Sequence, residues 1–160
     1  MNLHKFNADF DQLCRLTAAE LHIPEDAVRR DYYIVMMLEN LAESDYAEKC
    51  VFKGGTSLSK CYPHSIDRFS EDIDLAIDPV FLGKPEGDPT KKQIKKLRKA
   101  SSLFVAEELA TMLRDRFAEM GLSEWLSVEA QPNGEGDNTY PEPRQLYVKY
   151  KSALDAKLGY

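Results

Sequence analysis

Apolar side chains at Phe6, Phe10, Leu13, Leu16 and Leu21 recur at close to helical spacing and predict an amphipathic helix over residues 5–22. Pro24 suits the first turn of a second helix, with Glu25 and Asp26 near its positive end. That helix is expected to run to about Glu43, turning Val28, Tyr32, Val35, Met36 and residues 38–41 toward the core. Arg30 and Asp31 read either as a surface pair or as a pair facing a site. A first strand is expected over residues 49–53. A second follows at Ser70-Glu71-Asp72-Ile73-Asp74-Leu75-Ala76-Ile77, where acidic and apolar residues alternate. Three prolines and two glycines mark residues 78–89 as a loop. Residues 90–121 then read as one long helix, with a stripe of Ile94, Leu97, Phe104, Leu109, Leu113, Phe117 and Met120 and a stop at Gly121. Short strands at 126–130 and 146–150 flank a loop over 131–143.

The stretch that carries candidate chemistry is Val51 to Ile77. Gly54 and Gly55 lack a Cβ, so the backbone there can turn tightly and let a phosphate approach. Thr56 or Ser57 is placed to cap the helix that follows, whose first-turn N–H groups would point at an anion. Pro63 limits that helix to about Tyr62. Strand alternation puts Ser70, Asp72 and Asp74 on one face and Ile73 and Leu75 on the other. Two adjacent carboxylates repel unless a cation lies between them, and Mg²⁺ takes one or two carboxylates together with substrate phosphates. Singly, Gly-Gly is commonly only a turn and Asp-x-Asp only a solvated strand end; their succession is the informative feature. The stretch is neither a Walker A loop nor an EF-hand, because the Lys-Ser/Thr of the first and the Gly and closing Glu of the second are missing.

Composition narrows the class. The chain has 160 residues, 43% hydrophobic and 30% charged, which is ordinary for one soluble globular domain. There is no apolar run of membrane-spanning length and no signal-peptide core, so no membrane partner is expected. Cys14, Cys50 and Cys61 are an odd set without close pairing, which points to a reducing cytoplasm, and Cys61 with His64 is read as chance rather than zinc. Net charge is −6, so the whole chain is not a basic nucleic-acid binder. Lys91, Lys92, Lys95, Lys96, Arg98 and Lys99 are nevertheless concentrated in one segment. That run reads either as a solvated helix face or as an electrostatic footprint for RNA or triphosphate.

The pattern Phe-Lys-Gly-Gly-Thr-Ser-Leu (52–58), followed by Arg68-Phe69-Ser70-Glu71-Asp72-Ile73-Asp74-Leu75, resembles the AbiEii/AbiGii toxin family. Those are nucleotidyltransferase-like proteins of the DNA polymerase β superfamily, related to the MenT toxins. Weaker likeness extends to Arg30-Asp31-Tyr32-Tyr33 and to Leu146-Tyr147-Val148-Lys149-Tyr150. The resemblance implies an α+β fold, a nucleotidyltransferase-like mixed sheet flanked by helices, in one domain over residues 1–160. It implies a toxin of a toxin–antitoxin or abortive-infection system that moves a nucleotide from an NTP to RNA, by analogy tRNA, with Mg²⁺ or Mn²⁺, and that has a cognate antitoxin. Asp72 and Asp74 would be the catalytic metal ligands. Lys53, Gly54, Gly55, Thr56, Ser57, Arg68 and Ser70 would bind the nucleotide. The family's third carboxylate lies on a strand beyond the Tyr-x-x-Tyr stretch, here Tyr147 to Tyr150, so the chain is expected to carry the N-terminal part of such a protein. Glu129 is the in-chain substitute on an expected strand. The alternative is a non-catalytic nucleotide- or partner-binding module of the same fold.

Overall fold

Helices α1 (Asn7–Leu21) and α2 (Glu25–Ala42) meet over an aromatic cluster. Phe10 of α1 packs on Tyr32 and Tyr33 of α2, with ring centroids 4.7 and 6.2 Å away. Cys14 and Ala18 follow Phe10 at four-residue spacing, and all three are buried. Small side chains on that row let the two helices approach closely. Leu13, Leu16 and Leu21, expected to share the buried stripe, are exposed instead. Helical spacing had grouped the leucines with Phe10, but the aromatic contacts select the Phe10–Cys14–Ala18 row. The helix ends without a glycine. His22 takes the left-handed conformation (φ 55°), and Ile23 N–H donates to Ala18 O at 3.0 Å to close the last turn.

The computed structural model describes residues 3, 7–62, 65–66, 72–131 and 145–150. These fall into two compact units, the first ending at Ala76 and the second beginning at Ile77. Among the described residues no helix is long and apolar enough to cross a membrane. Cys14, Cys50 and Cys61 are all free thiols, and burial pushes those of Cys14 and Cys50 above the usual cysteine range.

In the first unit, α2 buries Tyr32 and Met36 as expected, together with Tyr33 and Ile34, whereas Val28, Val35, Leu38 and Leu41 are half-buried. Two polar residues are also inside. Asn40 donates its Nδ2 to Met36 O at 2.8 Å. Arg29, 5% exposed, is the unexpected one. Its guanidinium donates to Asp11 Oδ1 at 2.7 Å and Glu25 Oε1 at 2.8 Å and lies 5.4 Å from the Phe10 ring centroid. Burial works against its charge, but the hydrogen bond to Asp11 and the two carboxylates more than offset this, and its pKa is raised. Replacing Arg29 by Ala is expected to cost about 2–4 kcal/mol, toward the lower end for breaking a buried pair because both carboxylates keep some access to water. Urea unfolding checks this. A loss of about 1 kcal/mol or less, the range of surface pairs, would show that the cluster does not hold α1 to α2.

A short 3₁₀ turn (Ala47–Lys49) leads into β1 (Cys50–Lys53), which runs directly into α3 (Gly54–Cys61). β2 (Asp74–Ile77) is the hydrogen-bonded neighbour of β1 in a two-stranded sheet. The alternation expected for the second strand holds from Asp72 to Ile77, with Asp72, Asp74 and Ala76 exposed and Ile73, Leu75 and Ile77 half-buried.

The second unit is built on the long helical run. Thr90 caps α4 (Lys91–Leu103) in a reciprocal box, its Oγ1 accepting from Gln93 N–H and its own N–H donating to Gln93 Oε1 at 2.7 Å. The run is not a uniform α-helix. Phe104–Leu109 is π-helical, and α5 (Ala110–Glu119) follows. Spacing in the stripe accounts for this: Phe104 and Leu109 are five residues apart, which a regular turn would put on different faces, whereas an i→i+5 turn brings both to the core. Both are buried, as are Leu113 and Phe117 at the four-residue steps that follow. Phe81 from the preceding loop packs edge-on against Phe104 at 5.2 Å. Gly121 (φ 70°) ends the run as expected, with Leu122 N–H donating to Phe117 O and Gly121 N–H to Ala118 O. β3 (Leu126–Ala130) pairs antiparallel with β4 (Leu146–Tyr150), Val128 opposite Val148. Arg114 of α5 donates from Nε and Nη2 to Val128 O at 3.1 and 3.0 Å, fastening the helix to the strand. Helices with small two-stranded sheets make the fold α+β, as the sequence implied.

The basic half of this run works against its own helix. Lys91 and Lys92 occupy the first turn, at the positive end of the dipole, with no acidic residue there, a placement unfavourable by about 0.3–1 kcal/mol per charge. Like-charge pairs at Lys91/Lys95, Lys92/Lys96 and Lys95/Lys99 each add a few tenths, on the order of 0.2–0.5 kcal/mol.

Candidate functional site

The turn from β1 into α3 is built around Gly54. Its φ is 79°, a conformation other residues enter only under strain. It also lies against Asp74: a Cβ at Gly54 would overlap the carboxylate Oδ2 and stand 3.0 Å from Cγ. Glycine is therefore required here by backbone conformation and by close approach together. One consequence is that the Gly-Gly turn and the acidic strand are in direct contact, as the order of motifs suggested.

A second tie comes from Thr56. Its side chain is buried, and its Oγ1 donates to the backbone carbonyl of Asp72 at 2.5 Å. Thr56 was expected either to cap α3 or to meet phosphate. The structure instead uses its hydroxyl to hold the segment entering β2 against α3. Nor does Ser57 cap the helix: α3 starts at Gly54, the position before it is Lys53, and no side chain caps the turn. The correction has a physical reason. β1 feeds the helix without an intervening loop, so Gly54, Gly55 and Thr56 make up its first turn themselves. Their N–H groups are the ones a helix start leaves without intrahelical partners.

The remaining polar groups are unengaged. Among the described residues, the side chains of Lys53, Ser57, Asp72 and Asp74 make no hydrogen bond or ion pair, and Lys53, Asp72 and Asp74 are exposed. Other charges in the first unit are paired, among them Arg29 with Asp11 and Glu25. Asp31, left open by the sequence, is paired with Lys60, which ties α2 to α3. Lys60 had no local signal, because its partner is 29 positions away. Arg68 and Ser70 lie outside the described residues, as do Pro63 and His64.

The donor set of the acidic pair, two exposed and unpartnered carboxylates beside a glycine-lined turn, fits a hard cation such as Mg²⁺. Among the described residues no group of three or more Asp, Glu, His or Cys gathers to hold a metal. Glu129, the candidate substitute, is engaged across the β3–β4 pair, accepting from Lys149 Nζ at 2.5 Å.

A family model described as "Nucleotidyl transferase AbiEii toxin, Type IV TA system" matches residues 36–157, well over half of the chain and a span that includes every residue of the site. No curated protein and no solved structure matches the chain.

Proposed function

The chain belongs to the AbiEii family of nucleotidyl transferase toxins of type IV toxin–antitoxin systems, and from that premise we propose that it transfers a nucleotide from an NTP to a hydroxyl of RNA, tRNA by analogy, in a metal-dependent reaction. The observation that carries this reading is the contact of Asp74 with Gly54, which sets an uncapped helix start beside two unpaired carboxylates. The first-turn N–H groups of Gly54, Gly55 and Thr56 would receive the triphosphate. Ser57 would add a hydroxyl donor, and Lys53 a positive charge. Arg68 and Ser70 keep the phosphate-binding roles that the family resemblance implies. Asp72 and Asp74 would hold Mg²⁺ or Mn²⁺, which supplies charge neutralisation at the phosphates. The acceptor hydroxyl forms a new bond to the α-phosphorus, the bond to the β-phosphate bridging oxygen breaks, pyrophosphate leaves and the hydroxyl proton passes to water. Thr56 contributes by position, keeping Asp72 in register with α3. The family's toxin–antitoxin setting implies an antitoxin partner.

The pairing of only two carboxylates among the described residues favours a second reading, a nucleotide- or partner-binding module that does not turn over. Incubation with labelled NTP and RNA, with and without Mg²⁺, separates the two. The expected result is metal-dependent NTP binding accompanied by slow transfer of label to RNA, abolished by chelator. Binding with no transfer selects the module. Transfer that persists in chelator rejects the role given to the acidic pair.

A further inference from the structure

We propose that the basic half of α4 is a docking surface for the phosphodiester backbone of a nucleic acid. Lys91, Lys92, Lys95, Lys96, Arg98 and Lys99 are all exposed. At 3.6 residues per turn they occupy an arc of about 160° and a length of about 12 Å along the helix. Ile94 and Leu97 fall on the other side. No acidic residue occurs between Asp88 and Glu107. Among the described residues none of the five lysines has a hydrogen-bond or ion-pair partner. That isolation is notable in a chain with 27 acidic residues and only 21 Lys and Arg.

The arrangement is also adverse to the helix that carries it. Cations at the positive end of the dipole and three like-charge pairs one turn apart weaken α4, and no described carboxylate compensates them. A polyanion lying along the arc would relieve both. Local rules broken without a structural gain mark a functional surface.

The chemistry of the arc favours nucleic acid over other anionic partners. Protein interfaces are built on buried apolar and aromatic anchors and are depleted in lysine, and the arc from Lys91 to Lys99 contains no apolar residue. A membrane-surface helix needs a continuous free apolar face, whereas Leu97 is half-buried and the exposed Ile94 and Leu103, nine residues apart, fall on opposite sides of α4. A linear array of lysines on a regular helix instead matches a linear array of phosphates, which lysine meets as a point charge without reading sequence.

The test is fluorescence anisotropy of the full chain with labelled single-stranded RNA and DNA of one sequence across a salt series. It is run without NTP or divalent metal, so failure of transfer and failure of this surface are separate results. Binding of both polymers identifies the backbone alone as ligand; binding of RNA only adds contact with the 2′-hydroxyl. Either supports the proposal. The variant K91Q/K95Q/K99Q is expected to lower the slope of log affinity against log salt by about 2, at roughly 0.7 for each single-strand phosphate that a lysine no longer neutralises. K91E/K95E/K99E is expected to abolish binding, with helicity by circular dichroism in the glutamine variant equal to or above that of the parent. No binding of either polymer at low salt, or an unchanged slope in the glutamine variant, overturns the proposal. So does polyglutamate of matched length binding as tightly as RNA, which would make the surface a site for an acidic protein.

Discussion

Asp72→Asn and Asp74→Asn are each expected to remove metal-dependent NTP binding while leaving the fold intact. Both carboxylates are exposed and, among the described residues, hydrogen-bonded to nothing, so the fold does not depend on their charge. Relieving repulsion between adjacent like charges leaves the melting temperature unchanged or slightly raised without metal. In Mg²⁺ the apparent NTP affinity is expected to fall by more than the roughly 10–100-fold that losing an outer-shell partner of a metal costs. Titration of NTP with and without Mg²⁺, beside thermal melts of the same samples, reads both quantities. Metal-independent NTP binding that is unchanged in both variants would sink the assignment of the pair. Unfolding of either variant would show that the carboxylates serve the fold and not a ligand.

Gly54→Ala should produce the second large effect, through two separable causes. A side chain at φ 79° costs about 1–2 kcal/mol in backbone strain alone. The new Cβ also overlaps the Asp74 carboxylate, which must swing away from the turn. Displacement of Asp74 predicts loss of metal-dependent NTP binding even where the protein remains folded. A double-mutant cycle separates the causes. In an Asp74→Ala background the overlap with the carboxylate is gone and only the strain and a 3.2 Å approach to the Cβ of residue 74 remain, so the stability losses of Gly54→Ala and Asp74→Ala should not add. Additive losses would show that the two positions are not in contact in solution.

These two experiments read one contact from its two sides, which matters because the glycine and the acidic pair belong to different elements. The Asp variants change the charge and leave the shape. The Gly54 variant changes the shape and leaves the charge. Loss of nucleotide binding in all three would favour an anion held jointly by the first turn of α3 and a cation on the acidic pair. Loss only in the Asp variants would leave the acidic pair as a metal site with no nucleotide over the glycines.

Much of this protein is decided by local pattern. The alternation from Asp72 to Ile77 places the two carboxylates on one face whatever surrounds the strand, because successive side chains in extended backbone point opposite ways. Gly121 ends the long helical run because a left-handed residue there closes the last turn. The pattern of residues 52–58 followed by 68–75 was likewise enough to show a resemblance to the family, and that resemblance implied an α+β fold. Tertiary structure decided what periodicity leaves open. Spacing shows which residues share a helix face but not which face finds a partner, so Phe10, Cys14 and Ala18 went inside and three leucines did not. The burial of Arg29 depended on two carboxylates and a ring arriving from both helices. Thr56 had the right chemistry for a phosphate or a cap. Only the proximity of the Asp72 carbonyl, 16 positions along the chain, turned its hydroxyl into the tie that holds the two motifs together.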